Sequence, residues 1–111
     1  MSEHQEQKAF FKWLNLAYPD IPAFAIPNGG HRHIAVAKKL KDEGVRKGIP
    51  DIFIADGNPG LFIELKVKGG RATPEQQHML SVLMQQGYRV ALCYGWIEAK
   101  EVTEKYLAKR D

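Results

Sequence analysis

Cysteine is nearly absent from this 111-residue chain, with Cys93 standing alone. No intrachain disulfide can form, and a four-cysteine zinc site is excluded. Cys93 lies in "RVALCYG", an apolar strand-like run, where a buried inert thiol is expected rather than a nucleophile. Missing too is any apolar run near the roughly 20 residues that span a bilayer. The opening "MSEHQEQKAF" holds no apolar core of a secretory signal, so an intracellular, cytoplasmic protein with no membrane partner is expected. Neither serine sits in a G-x-S-x-G elbow, which argues against a serine hydrolase. No G-x-x-x-x-G-K-[ST] phosphate loop occurs either.

What is present is ordinary globular material. Hydrophobic residues at 44% and charged residues at 26% rule out a disordered chain. The length suits one domain, residues 1–111, with its own core, and no internal repeat or low-complexity linker divides it. A formal charge of +3 and a pI near 9.0 are compatible with a polyanionic partner without identifying one.

Hydrophobic spacing orders the elements. Phe10, Trp13, Leu14 and Ala17 recur at helical spacing within 4–17, and Pro19 and Pro22 end that helix. "AFAI" (23–26) reads as a short strand closed by the Pro27-Asn28-Gly29-Gly30 turn, and 33–43 as a basic helix ending at Gly44. Two apolar strands, about 51–55 and 61–66, flank an Asp56-Gly57-Asn58-Pro59-Gly60 turn. Their near-continuous apolar character predicts a sheet covered on both faces. Thr73, Pro74 and Gln76 form an N-cap, a first-position proline and a capping box for a helix that stops near Gly87. A strand (88–94) and a final amphipathic helix (97–109) follow. The order α-β-α-β-β-α-β-α predicts an α/β fold, a mixed sheet flanked by helices.

Charge interrupts the greasiest part of the chain. In "PDIFIADGNPGLFIELK" (50–66), Glu64 and Lys66 share one strand face, about 6.6–6.8 Å apart. Pairing across the turn sets Asp51 opposite Glu64 or one residue away, and direct opposition would bring their Cβ atoms to about 4.5–5.5 Å. Carboxylates that close resist joint ionisation unless a cation lies between them. Carboxylate oxygens, a backbone carbonyl and water suit Mg²⁺ or Mn²⁺. Such an ion lowers the pKa of bound water and stabilises charge on a phosphoryl oxygen, and a nearby lysine can orient that water. Two acids and a lysine are a compact apparatus for phosphodiester hydrolysis. The rival reading puts Asp51 at a solvent rim and makes Glu64 and Lys66 an exposed ion pair on an edge strand, worth about 0.2–1 kcal/mol.

The longer pattern, "GIPDIFI" and then "IELKVKGGRATPEQ", resembles the virus-type replication-repair nuclease (VRR-NUC) family of the PD-(D/E)xK nuclease superfamily. The likeness runs from "EHQEQ" to "GYRVALCYG", nearly the whole chain. It implies a restriction-endonuclease-like core, with Asp51 and Glu64 as metal ligands, the Leu65 carbonyl as a backbone ligand and Lys66 as the catalytic lysine. Family members also carry a first-helix acid followed four residues later by glutamine. Glu3 with Gln7 fits that spacing better than Glu6 with Phe10, although helical geometry alone leaves both open. Gln76 matches a glutamine expected near the active site, and a capping role is compatible with that. Small stand-alone members resemble Holliday-junction resolvases and are homodimers, so a dimer acting on branched DNA is implied.

"NGGHRH" (28–33) could offer His31 and His33 to zinc, but a phosphate-contacting or solvated loop suits two unclustered histidines better. Arg32, His33, Lys38, Lys68 and Arg71 flank the hairpin as candidate phosphate contacts, giving affinity without sequence readout. Together these features predict a Mg²⁺- or Mn²⁺-dependent DNA endonuclease of replication, recombination or repair. The alternative is a non-catalytic DNA-binding module that keeps the fold. A protein-interaction domain with a merely structural ion pair is a third reading.

Overall fold

The computed structural model describes residues 1–27, 34–57 and 59–108. Along the chain run α1 (Glu3–Ala17), β1 (Ala23–Ala25), α2 (Ile34–Asp42), β2 (Ile52–Ile54), β3 (Leu61–Lys66), α3 (Pro74–Gln85), β4 (Arg89–Tyr94) and α4 (Trp96–Ala108). This is the element order expected from hydrophobic spacing. Strands pair in the order β1-β2-β3-β4. β1 and β2, and β2 and β3, run antiparallel, whereas β4 lies parallel to β3. A parallel neighbour needs a crossover, and α3 supplies it.

Local chemistry starts the helices where the sequence indicates. Ser2 and Thr73 each accept a backbone N–H three residues on, from Gln5 and Gln76, and both glutamine side chains return the bond. These capping boxes satisfy orphan helix N–H groups. Alternation along β2 and β3 then sorts side chains between two faces. Ile52, Ile54, Leu61, Ile63 and Leu65 join Phe10, Leu14, Cys93 and Ala99 in the core beneath α1 and α4. On the opposite face, Phe24, Phe53 and Phe62 line up across three strands, with ring centroids 5.7 and 4.4 Å apart, and Tyr88 meets Phe62 edge-on at 5.3 Å. Asp51, Glu64 and Lys66 belong by alternation to this second face.

Coverage is less even than the apolar strands suggest. β3 is buried along its length except at the half-buried Phe62, but the outer strands leave Phe24, Leu92 and Tyr94 exposed. Their continuous hydrophobicity therefore reflects more than burial on two faces. Ala17 also remains exposed, because the inward stripe of α1 is carried by Phe10 and Leu14. α2 buries no residue at all.

One contact fixes the segment that leads into the hairpin. Gly48 has φ +82°, and a Cβ there would lie 2.8 Å from the Glu75 carbonyl oxygen at the start of α3. Gly44 has φ +98° but open space around it. Gly44→Ala should therefore cost about 1 kcal/mol, from backbone conformation alone. Gly48→Ala should cost about 2–4 kcal/mol, because a backbone clash adds to the conformational penalty. Urea unfolding of the two variants measures the difference, and equal losses would contradict the tight Gly48–Glu75 approach.

Candidate active site

The acidic pair is built by strand register. Ile52 pairs with Ile63, so one step further places Asp51 opposite Glu64. The next step sets Pro50 opposite Leu65. Asp51 is pinned on both sides: its carbonyl accepts the Ile26 N–H at 2.7 Å, and its Oδ2 accepts the Leu65 N–H at 2.8 Å. Proline has no N–H, so the ladder brings no donor from Pro50 to the Leu65 carbonyl. Within a strand a residue's N–H and C=O face the same neighbour. The Leu65 carbonyl therefore faces the Asp51 side, without a ladder donor from that position.

Glu64 and Lys66 are not a surface pair on an edge. β3 is an inner strand, Glu64 is 1% exposed and Lys66 9%. Lys66 Nζ lies 3.5 Å from Glu64 Oε2. Glu64 Oε1 is buried and has no hydrogen-bond partner among the described residues. A buried polar atom without a partner is costly. Burial pushes the Glu64 carboxyl up to about 8, and the Asp51 charge and a hydrogen bond with Asp51 push the same way. Lys66 opposes them incompletely. Burial and the facing Asp51 therefore favour the protonated form of Glu64 in the protein alone. A divalent cation fits the same place, because it would meet the orphaned Oε1, Asp51 and the Leu65 carbonyl with a hard-oxygen donor set.

The other sequence candidates are distributed around this pair. Among the described residues no three His, Cys, Asp or Glu side chains gather as a metal-binding group, so Glu3 is not brought together with Asp51 and Glu64. Glu3 is exposed in the first turn of α1. Glu6 is differently engaged: its Oε2 accepts the Trp96 N–H at 2.6 Å, where α4 begins. The Gln76 Oε1 accepts the Thr73 N–H at 2.8 Å, the capping role. Gln77 donates instead to the Ala72 carbonyl at 2.9 Å, steadying the loop after Lys66.

Lys68 and Arg71 are exposed on the loop that follows Lys66. Lys38 is exposed on α2 and pairs with Asp42 at 3.2 Å. Arg32 and His33, with His31, lie outside the described residues. Burial, with a smaller contribution from Glu98, pushes the Cys93 thiol up to about 12, as an inert core thiol requires. The hairpin turn is held from a distance, since the Tyr106 hydroxyl donates to the carbonyls of Pro59, at 2.7 Å, and Asp56. No spacing within the sequence signals that tether or the one from Glu6.

Comparison with known proteins identifies the family and the fold. The family model of the VRR-NUC domain matches residues 1–96. A solved structure described as a VRR_NUC domain protein superposes with a TM-score of 0.82 at 24% identity, covering 100% of this chain and 92% of its own. The shared fold is a restriction-endonuclease-like core. Among curated proteins no relative matches the chain.

The raised Glu64 carboxyl has a measurable consequence. Between the ordinary carboxyl value of 4.5 and about 8, folded Glu64 keeps a proton that the unfolded chain has released. The contribution of Glu64 to stability therefore falls as pH rises through that window. Thermal unfolding in EDTA should show a steeper decline in Tm with pH for the wild type than for Glu64→Gln. Mn²⁺ should restore stability most at the alkaline end, where proton competition is weakest. Parallel pH profiles for the two proteins would contradict the buried protonated carboxyl.

Proposed function

The chain belongs to the VRR-NUC domain family, a nuclease-type family with DNA as its substrate, and from that premise we propose that it is a Mg²⁺- or Mn²⁺-dependent DNA endonuclease. The single observation that carries this reading is the buried Glu64 carboxyl, which faces Asp51 with one oxygen unpartnered and stands 3.5 Å from the Lys66 ammonium. Asp51, Glu64 and the Leu65 carbonyl would hold the ion. Such an ion supplies a water of lowered pKa and a Lewis acid at the phosphoryl oxygen. Lys66, held at the end of β3, orients the attacking water and offers positive charge to the pentavalent transition state. Lys68 and Arg71 take neighbouring phosphates, which gives affinity without sequence readout. A single domain over 1–111 is part of this reading, supported by α4, which buries Ala99, Thr103 and Leu107 beyond the matched family segment.

Purified protein with Mn²⁺ should cut DNA, and EDTA should abolish cutting. Asp51→Asn, which keeps an acceptor for the Leu65 N–H, and Lys66→Ala should each lower the rate by about 100-fold or more. Wild-type protein that binds DNA identically with and without EDTA and never cleaves it would be a non-catalytic DNA-binding module instead.

The substrate we propose is branched DNA in replication, recombination or repair, cut by a homodimer. The support lies in the surface around α2. Ile34 is 84% exposed, Phe24 50% and Val36 48%, with Val45 also exposed. A groove of about 510 Å³ lined by Ile26, Pro27, Leu40, Gly44, Val45, Arg46 and Ile49 shares Val45 with this exposed set. Apolar surface grouped in this way is characteristic of an interface. A second copy placed there would give two sites to one junction. Sedimentation at micromolar concentration should show a dimer for the wild type and a monomer for Val36→Asp, and four-way junctions should be cut faster than linear duplex. A monomeric wild type would remove the dimer and leave the nuclease reading intact.

A further inference from the structure

Glu6 is the charged residue whose placement the catalytic group does not explain. Its Oε2 accepts the Trp96 N–H at 2.6 Å, joining residues 90 apart in sequence. Trp96 opens α4, where the first backbone N–H groups lack intrahelical partners and carry the positive end of the helix dipole. Ordinarily a nearby serine, threonine or aspartate serves there. The residue before α4 is Gly95, with φ +90°, and a Cβ built on it would lie 3.4 Å from that same Glu6 oxygen. The turn thus needs glycine for its conformation, and the carboxylate packs at van der Waals distance beside it.

The same junction touches the catalytic strand. The Gly95 N–H donates to the Lys66 carbonyl at 2.9 Å, and the Gly95 carbonyl accepts the Ala99 N–H at 3.3 Å. A continuous path therefore runs from Glu6 through Trp96 and Gly95 to Lys66, whose side chain faces Glu64. Glu3 lies three residues before Glu6, on the neighbouring turn of the same helix. Three elements distant in sequence, α1, β3 and α4, are thus joined at the Gly95–Trp96 junction.

We propose that Glu6 is a positioning residue: its carboxylate clamps α1 to the Gly95–Trp96 junction, and so fixes the end of β3, where the Gly95 N–H holds the Lys66 carbonyl beside Glu64. This rests on the nuclease reading and adds a structural role to the acid that is not a ligand. Glutamine keeps an oxygen acceptor for the Trp96 N–H, whereas alanine removes it.

Full-length wild type, Glu6→Gln, Glu6→Ala and Leu107→Ala separate the possibilities. Leu107 is buried towards the other end of α4 and serves as a control for lost stability. Calorimetric titration with Mn²⁺ in the absence of DNA is the primary measurement, with kcat and KM for a DNA substrate as the second. Glu6→Ala should weaken Mn²⁺ binding by roughly tenfold, the scale on which residues supporting metal ligands act. It should lower kcat while leaving KM near the wild-type value. Glu6→Gln should restore both, and Leu107→Ala should leave Mn²⁺ affinity unchanged despite a lower Tm. Wild-type affinity in Glu6→Ala overturns the clamp alone. Equal impairment in Glu6→Gln and Glu6→Ala also overturns it, since charge would then act on the ion directly. A wild type that neither binds Mn²⁺ nor cuts DNA removes the nuclease reading and the clamp together.

Discussion

Everything distinctive about this molecule depends on two carboxyl groups held face to face at the end of a hairpin. Asp51 and Glu64 sit opposite one another because β2 and β3 pair in a fixed register, and a slip by one residue would turn the whole set of hydrophobic side chains to the wrong face. The apolar core therefore enforces an electrostatic conflict that the chain would otherwise avoid. In the protein alone a proton on Glu64 eases it, since burial and the facing Asp51 push that carboxyl up to about 8. A cation in place of that proton would satisfy the same oxygen atoms. Lys66 tempers the conflict without removing it.

The support around this pair comes from residues with no catalytic chemistry of their own. Pro50 brings no ladder donor to the Leu65 carbonyl, and the Leu65 N–H is turned to Asp51 instead. Gly48 packs against the start of α3, tying the approach to Asp51 to the segment that follows Lys66. Tyr106 holds the far turn of the hairpin through the Pro59 carbonyl. These contacts act on backbone, which is where a site built from strand ends must be controlled. Side chains on a strand inherit their direction from the register and the pleat.

The surface divides into two regions of different chemistry. Around the end of β3, exposed Lys68 and Arg71 continue the positive charge of Lys66. Around α2, apolar side chains meet solvent on a helix that buries none of its residues. A helix of nine residues with no buried face gains little from tertiary packing, which normally supplies most helical stability. Its exposed Ile34 and Val36 suit burial against another surface.

The sequence by itself determined the element order, both capping boxes, the inert character of Cys93 and the identity of the acid-acid-lysine set. Each depends on spacing over a few residues, where periodicity and turn chemistry act locally. It left Asp51 opposite Glu64 or one residue away, and it left an exposed ion pair as a rival. Tertiary structure decided both, because only pairing fixes register and only the placing of β3 inside the sheet buries Glu64. The same holds for Glu6. As a sequence feature it was one of two acids on a helix, and its bond to Trp96 exists because folding brings residues 90 apart to 2.6 Å. The exposure of Phe24, Leu92 and Tyr94 on the outer strands was not legible either, since hydrophobic strands mark burial against something without saying whether it belongs to the same chain.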